Sequence, residues 1–87
     1  MQQEHIRTEV RDFIKTNFIY SDTKQLNDDE SLLGSGVVDS TGVLELIAFL
    51  EGKFHVKFAD SELIADNFDS VNKIISFVSL KAMGANA

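Results

Sequence analysis

The sequence contains no cysteine and no proline among its 87 residues. Without cysteine the chain can form no disulfide and no thiolate metal site, and it has no cysteine nucleophile. It also has no run of about 18 apolar residues, the length that a membrane-spanning helix needs. Its first residues, MQQEHIRTEVRDF, are too charged for a secretory signal. We therefore expect a cytoplasmic protein without membrane insertion, in which any thiol chemistry must come from another molecule.

Positive charge is scarce as well. Eight Lys and Arg stand against fourteen Asp and Glu, which gives a net charge of -6. Residues 21–39 hold five acids and one base, and residues 55–70 hold four acids and one base, so negative charge flanks the stretch between them. Such a surface repels nucleic acid and anionic membranes and favours basic partners. We expect no nucleic-acid partner, although a simply solvated acidic surface would have the same composition.

Side chains suited to catalysis or metal binding are few. The two histidines, His5 and His55, lie in polar stretches, and neither stands at a helical spacing from Ser40. The acidic run at residues 28–30 lacks the alternating ligands and central glycine of an EF-hand, which favours solvated loop acids. The Gly-Ser-Gly at residues 34–36 has no following lysine and indicates a tight turn rather than a phosphate-binding loop. We expect no catalytic residue and no metal site.

Apolar residues recur at helical spacing in three segments of the chain: residues 4–18, residues 40–54, and a stretch that starts at residue 71 behind Asp69 or Ser70 as its cap. A short further helix is predicted at residues 60–66, with Asp60 or Ser61 as its cap. The connection over residues 19–39 lacks this spacing and is predicted to be a long ordered loop. The sequence therefore predicts a small all-α four-helix bundle with a long loop between helices 1 and 2. We expect one domain over residues 1–82 and a frayed tail over residues 83–87.

The second predicted helix has two distinct faces. Its apolar face is formed by Val43, Leu46, Ile47, Leu50 and Phe54. The opposite face is formed by Thr41, Leu44, Glu45 and Ala48. Asp39 or Ser40 can cap this helix, because either side chain can accept a hydrogen bond from a first-turn amide. An Asp-Ser pair in this position is by itself more often a cap than a functional site.

The order of these motifs resembles the acyl carrier protein family over about residues 4–82. The resemblance rests on GVVDS followed by LELIAFLEGKF, then FADSELIADNF, then SVNKIISFV. Members of that family carry a 4'-phosphopantetheine arm on the serine of an Asp-Ser motif at the start of the second helix. The resemblance implies that Ser40 is the attachment site, with Asp39 beside it, and that the chain is a carrier rather than an enzyme.

The resemblance also implies the reaction and the partners. A phosphopantetheinyl transferase with magnesium would activate Ser40, which attacks a phosphate of coenzyme A and releases adenosine bisphosphate. The arm then supplies the missing thiol, whose thioester carries an acyl or aminoacyl group between enzymes. The implied partners are adenylate-forming ligases, acyltransferases or synthases that dock on Thr41, Leu44, Glu45 and Ala48, and the carrier is expected to be a monomer.

Some residues depart from the fatty-acid carriers of that family. Thr41 stands where many of them have leucine, and the second helix has only two acids, Glu45 and Glu51, and a basic Lys53. GVVDS and DNF are closer to freestanding carriers loaded by adenylate-forming ligases, including D-alanyl and other aminoacyl carriers. The cargo and the pathway, whether fatty acid, polyketide, nonribosomal peptide or cell envelope, stay open. The alternative is an unmodified helical interaction module in which Ser40 is only a cap.

Overall fold

The protein is all-helical in the computed structural model, which describes residues 3–19 and 25–85. The three α-helices are α1 (Gln3–Phe18), α2 (Ser40–Phe54) and α3 (Val71–Ala85). The described ranges contain no β-strand, so the all-α prediction is confirmed. Residues 20–24 of the predicted loop and residues 86 and 87 of the predicted tail lie outside the described residues. None of the described helices is long and apolar enough to cross a lipid bilayer.

The predicted four-helix bundle is not confirmed, because residues 60–66 do not form an α-helix. Two short 3₁₀ helices, Asp60–Glu62 and Ala65–Phe68, occupy the connection between α2 and α3. Backbone hydrogen bonds in these helices join residues three positions apart, as between the Glu62 amide and the Ala59 carbonyl at 2.8 Å. Of the apolar side chains here Leu63 and Ile64 are exposed, and only Phe68 is fully buried. Without a continuous apolar face, an α-helix would gain little from packing in this segment.

The core is one cluster between the three helices. α1 contributes Ile6, Val10 and Ile14, which recur every four residues along one face. α2 turns inward the predicted apolar face of Val43, Leu46, Ile47, Leu50 and Phe54. α3 contributes Val71, Ile74, Ile75, Val78 and Ala82. The predicted orientation of α2 is therefore confirmed, and its opposite face is left toward solvent.

The segment before α2 is irregular but anchored to this core. Leu26, Leu32 and Val38 are buried in the same cluster as the helices. Between them the chain makes a tight turn, in which the Ser35 amide donates to the Ser31 carbonyl at 2.9 Å. Gly36 in this turn has a φ of 80°, a backbone conformation that glycine adopts without the cost of a Cβ. The turn delivers the chain to the first residue of α2.

Candidate functional site

The Asp39–Ser40 pair lies where the irregular segment ends and α2 begins. Asp39 has extended backbone (φ -97°, ψ 179°) and is the N-cap of the helix. Its side-chain Oδ1 accepts a hydrogen bond from the Gly42 amide at 2.6 Å, and its carbonyl accepts from the Val43 amide at 3.0 Å. The structure thus decides which of the two side chains caps α2. Because Asp39 does so, the Ser40 hydroxyl is not needed for capping.

Ser40 is the first helical residue of α2 and is exposed, as are its neighbours Asp39 and Thr41. Within residues 3–19 and 25–85, no group forms a hydrogen bond with the Ser40 hydroxyl. A hydroxyl that is both exposed and unengaged can be reached by an enzyme without unfolding of the helix. This accessibility is the main chemical property of the site.

The start of α2 also suits a phosphate group attached to Ser40. The first amides of an α-helix have no acceptor within the helix, and the helix dipole places partial positive charge there. The first turn of α2 contains no acidic residue, and the Asp39 carboxylate is already occupied by the Gly42 amide. An open groove of about 470 Å³ lies beside the site, with Val37 and Thr41 among its lining residues. A phosphodiester-linked chain on Ser40 therefore fits the residues present.

The four residues predicted to form a docking face are all exposed on α2. They are Thr41, Leu44, Glu45 and Ala48. Leu44 has 65% of its surface accessible, which leaves a large apolar side chain in solvent one turn after Ser40. The connection between the two 3₁₀ helices adds two exposed apolar residues, Leu63 and Ile64. Sequence reasoning missed this second pair because the expected α-helix gave them no assigned face.

Gly42 is a further residue of the site whose importance the sequence did not reveal. A Cβ at this position would lie 2.9 Å from Phe18 Cε1 and 3.0 Å from Val38 Cγ1. Glycine therefore allows the first turn of α2 to approach the end of α1 and the chain just before Asp39. The available signal was a glycine inside a predicted helix, which costs about 1 kcal/mol relative to alanine and so indicates a packing reason.

The histidines do not reach Ser40. His55 follows the last residue of α2 and has a left-handed backbone with φ 55°. Since α2 rises about 1.5 Å per residue, its two ends are separated by roughly 20 Å. His5 is exposed on α1, with its ring edge-on to Phe54 at a centroid distance of 6.3 Å. In the part of the chain that the structure describes, no cluster of His, Cys, Asp and Glu could hold a metal ion.

The acidic run at residues 28–30 is not simply solvated, so that prediction is wrong for Asp28. The Asp28 carboxylate forms ion pairs with Arg7 and Arg11 on α1, the latter at 2.5 Å. The hydrogen bond with Asp28 raises the pKa of the Arg7 guanidinium. Asp29 accepts a hydrogen bond from the side chain of Asn72 on α3. These acids join the loop to two helices, which a sequence pattern within the loop cannot reveal.

The sequence is similar to those of known proteins. The family described as "Phosphopantetheine attachment site" matches residues 4–78. A D-alanyl carrier protein of Streptococcus sanguinis is 35% identical over 74 residues, which cover 85% of this chain and 91% of that protein. A D-alanyl carrier protein of Streptococcus gordonii is 34% identical over the same shares. One from Streptococcus suis is 46% identical over 50 residues, 58% of this chain and 63% of that protein.

The predicted family and cofactor are therefore confirmed. The alternative of an unmodified helical interaction module is not supported, because the matched family carries a phosphopantetheine attachment site. The match covers α2, nearly all of α1, the first eight residues of α3 and the segment that leads into α2. The chain belongs to the acyl carrier protein family, as a non-catalytic carrier that a phosphopantetheinyl transferase modifies with a covalent 4'-phosphopantetheine arm.

Proposed function

We propose that Ser40 carries the phosphopantetheine arm and that the protein transports an aminoacyl group, D-alanine in particular, as a thioester on it. The observation that carries the attachment site is the exposed Ser40 hydroxyl at the start of α2, which the capping of the helix by Asp39 leaves unengaged. The cargo rests on the relatives, which are named D-alanyl carrier proteins. The bound arm supplies a terminal thiol, and the chain itself contains no cysteine that could replace it.

In this proposal Ser40 acts as the nucleophile of the attachment reaction. Its Oγ attacks a phosphorus of the coenzyme A pyrophosphate, one P–O bond forms, and the bond to the adenosine bisphosphate leaving group breaks. The hydroxyl proton goes to the transferase, because His55 lies at the far end of α2 and cannot serve as the base. The product phosphodiester is stabilised by the N-terminal amides and the dipole of α2.

Asp39 has two parts in the same proposal. By accepting the Gly42 amide it fixes the first turn of α2 and therefore the backbone of Ser40, whose side chain is exposed to solvent. Its exposed position also lets it meet the transferase or its magnesium ion. Asp39 is thus proposed to orient and to dock, while the chemistry of bond formation belongs to Ser40.

The partner enzymes are proposed to dock on the exposed face of α2. Leu44 would fill a shallow apolar pocket of the partner, and Glu45 would meet an Arg or Lys at the rim of the contact. Thr41 and Ala48 border them and are small enough to allow close approach. With only two acids on α2, docking should depend more on this apolar contact than on charge. The ligase that loads the arm and the transferase that attaches it would share this face.

The cargo is tested by loading the modified protein with a D-alanine-activating adenylate ligase and ATP. Equal concentrations of D-alanine, L-alanine and a short fatty acid are offered together, and the thioester formed is identified by intact mass after chromatographic separation. We expect the D-alanyl thioester to dominate and to be released by hydroxylamine. A carrier that is modified at Ser40 but accepts no aminoacyl group from any such ligase would contradict the cargo and leave the attachment site standing.

A further inference from the structure

Asp69 joins the start of α3 to the turn that precedes the Asp39–Ser40 pair. It follows the second 3₁₀ helix and stands two residues before α3. Its Oδ1 accepts the Leu33 amide at 2.9 Å, its Oδ2 accepts the Ser31 hydroxyl at 2.7 Å, and its carbonyl accepts the Leu32 amide at 2.6 Å. Asp69 therefore accepts hydrogen bonds from three successive residues that lie more than thirty positions earlier in the chain.

Leu32 transmits this attachment toward the site. Its amide donates to Asp69, and its carbonyl accepts the Val38 amide at 3.1 Å. Both Leu32 and Val38 are fully buried, so neither can shift without disturbing the core. Val38 is the residue directly before Asp39. The path from the Asp69 backbone to the cap of α2 thus consists of two hydrogen bonds and one peptide linkage.

The Asp69 carboxylate also stabilises the turn through the Ser31 side chain. The Ser31 hydroxyl that donates to Asp69 also accepts the Gly34 amide at 2.9 Å, so the carboxylate orients a side chain that itself holds the turn. Burial raises the pKa of Asp69, but the Leu33 amide, the Ser31 hydroxyl and the charge of Lys73 together hold it below its ordinary value. The carboxylate is therefore ionised at neutral pH and accepts both donors at once.

Residues 26–28 of the loop are held by other residues. The backbone amide of Asn72 donates to the Asp28 carbonyl at 3.0 Å, and the Arg11 side chain donates to the Leu26 carbonyl at 2.8 Å. These bonds do not involve Asp69. Removal of its carboxylate should therefore loosen the turn at residues 31–36 and leave the earlier part of the loop on the core.

We propose that Asp69 is a positioning residue for the modification of Ser40. Its carboxylate holds the Ser31 hydroxyl and the Leu33 amide on either side of Leu32. Through Leu32 and Val38 the turn at residues 31–36 then sets where Asp39 and Ser40 lie at the start of α2. The inference rests on the proposed assignment of Ser40 as the attachment site. It adds a residue that does not contact the reacting atoms and that lies outside the docking face of α2.

The test compares Asp69→Ala, Asp69→Asn and a matched control, Asp66→Ala, in a steady-state assay with phosphopantetheinyl transferase and coenzyme A. Asp66 is exposed, belongs to the same connection and pairs with Lys73 at 3.2 Å, so its loss removes the same charge. We expect Asp69→Ala to lower kcat on the order of tenfold, because a nucleophile displaced by a fraction of an ångström loses its attack geometry. KM for the carrier should change less, and Asp66→Ala should match wild type.

Asp69→Asn distinguishes positioning from charge. The side-chain oxygen of the asparagine can still accept the Leu33 amide, and its amide group can contact the Ser31 hydroxyl. The kcat of Asp69→Asn should therefore lie closer to the wild-type value than that of Asp69→Ala. Amide hydrogen exchange measured on the same samples should show faster exchange at Leu33 and Val38 in Asp69→Ala. Exchange at the core residue Ile74 should stay as in wild type.

Three results would overturn the inference. A wild-type kcat for Asp69→Ala would show that Asp69 does not affect the modification of Ser40. An equal increase of amide exchange at Ile74 and Val38 would show that the variant destabilises the whole protein rather than the turn. Should Asp69→Ala not fold, Ser31→Ala removes, from an exposed position, the hydroxyl that donates to Asp69 Oδ2 and accepts the Gly34 amide. An unchanged kcat in that variant would then refute the proposal. If wild-type protein takes up no arm at Ser40, the proposed attachment site fails instead.

Discussion

Replacing Gly42 by alanine sets two opposing effects against each other at the start of α2. Alanine is favoured over glycine in a helix by about 0.5–1 kcal/mol. The added methyl group, however, would lie 2.9 Å from Phe18, 3.0 Å from Val38 and 3.2 Å from the Asp39 carboxylate. Overpacking of this kind costs about 1–3 kcal/mol. The difference predicts a net loss between about 0 and 2.5 kcal/mol in the free energy of unfolding, centred at about 1 kcal/mol.

The location of the clash predicts a second consequence. Val38 and Asp39 lead directly into Ser40, so the methyl group pushes on the segment that holds the attachment site. We therefore expect Gly42→Ala to slow attachment of the arm even at temperatures where the protein is fully folded. Stability is measured by urea unfolding followed by circular dichroism, and attachment by the initial rate with a phosphopantetheinyl transferase.

Gly52 offers a matched control within the same helix. It is exposed, and a Cβ there would meet nothing within 4 Å. Gly52→Ala should therefore gain up to about 0.5–1 kcal/mol of stability and keep the wild-type rate. If Gly42→Ala were stabilised as much as Gly52→Ala and modified as fast as wild type, the close approach of α2 to Phe18 and Val38 would be refuted.

The remaining predictions concern the core, the docking face and pH. Ile47 is 6% exposed, and Ile47→Ala should cost on the order of 2–5 kcal/mol in chemical unfolding, whereas a loss under about half a kcal/mol would mean that α2 is rotated. Leu44→Arg should slow both arm attachment and ligase loading at an unchanged thermal midpoint. The control Leu80→Arg, at a residue 67% exposed on α3, should match wild type. Equal rates for the two variants would show that partners do not dock on α2. Glu45→Lys should mainly lower the association rate and flatten its salt dependence, seen by stopped flow at several ionic strengths. The pKa of Asp69 lies below its ordinary value of 3.8, so the ionised carboxylate should stabilise the folded protein fully above pH 3.8 and lose this effect as the pH falls below that value. Asp69→Asn should lack this part of the acid dependence of the free energy of unfolding.

The helices and the inward face of α2 could be predicted because they depend on local patterns. Val43, Ile47, Leu50 and Phe54 recur with the helical period, and each is buried in the structure. The prediction failed at residues 60–66, where Asp60 or Ser61 indicates the start of a helix but the apolar residues Leu63 and Ile64 are adjacent and do not build one face. A run of this length contains too few apolar positions to separate an α-helix from two 3₁₀ turns.

The features that position the site could not be predicted, because they join residues far apart in sequence. Asp69 and Leu33 are separated by 36 positions, and nothing in the local sequence of either indicates the bond between them. The capping side chain was ambiguous for a different reason. Asp39 and Ser40 are both good N-caps, and only the backbone conformation of Asp39 decides between them.

Intact-mass spectrometry after co-production with a phosphopantetheinyl transferase tests the attachment site most directly. The matched pair is Ser40→Ala and Thr41→Ala, which remove two neighbouring exposed hydroxyls at the start of α2. Both should fold, since Asp39 supplies the cap and surface substitutions of this kind change stability by about 0.5 kcal/mol or less. Wild type and Thr41→Ala should gain the mass of one phosphopantetheine, and Ser40→Ala should gain none. An arm on Ser40→Ala, or none on wild type, would contradict the account.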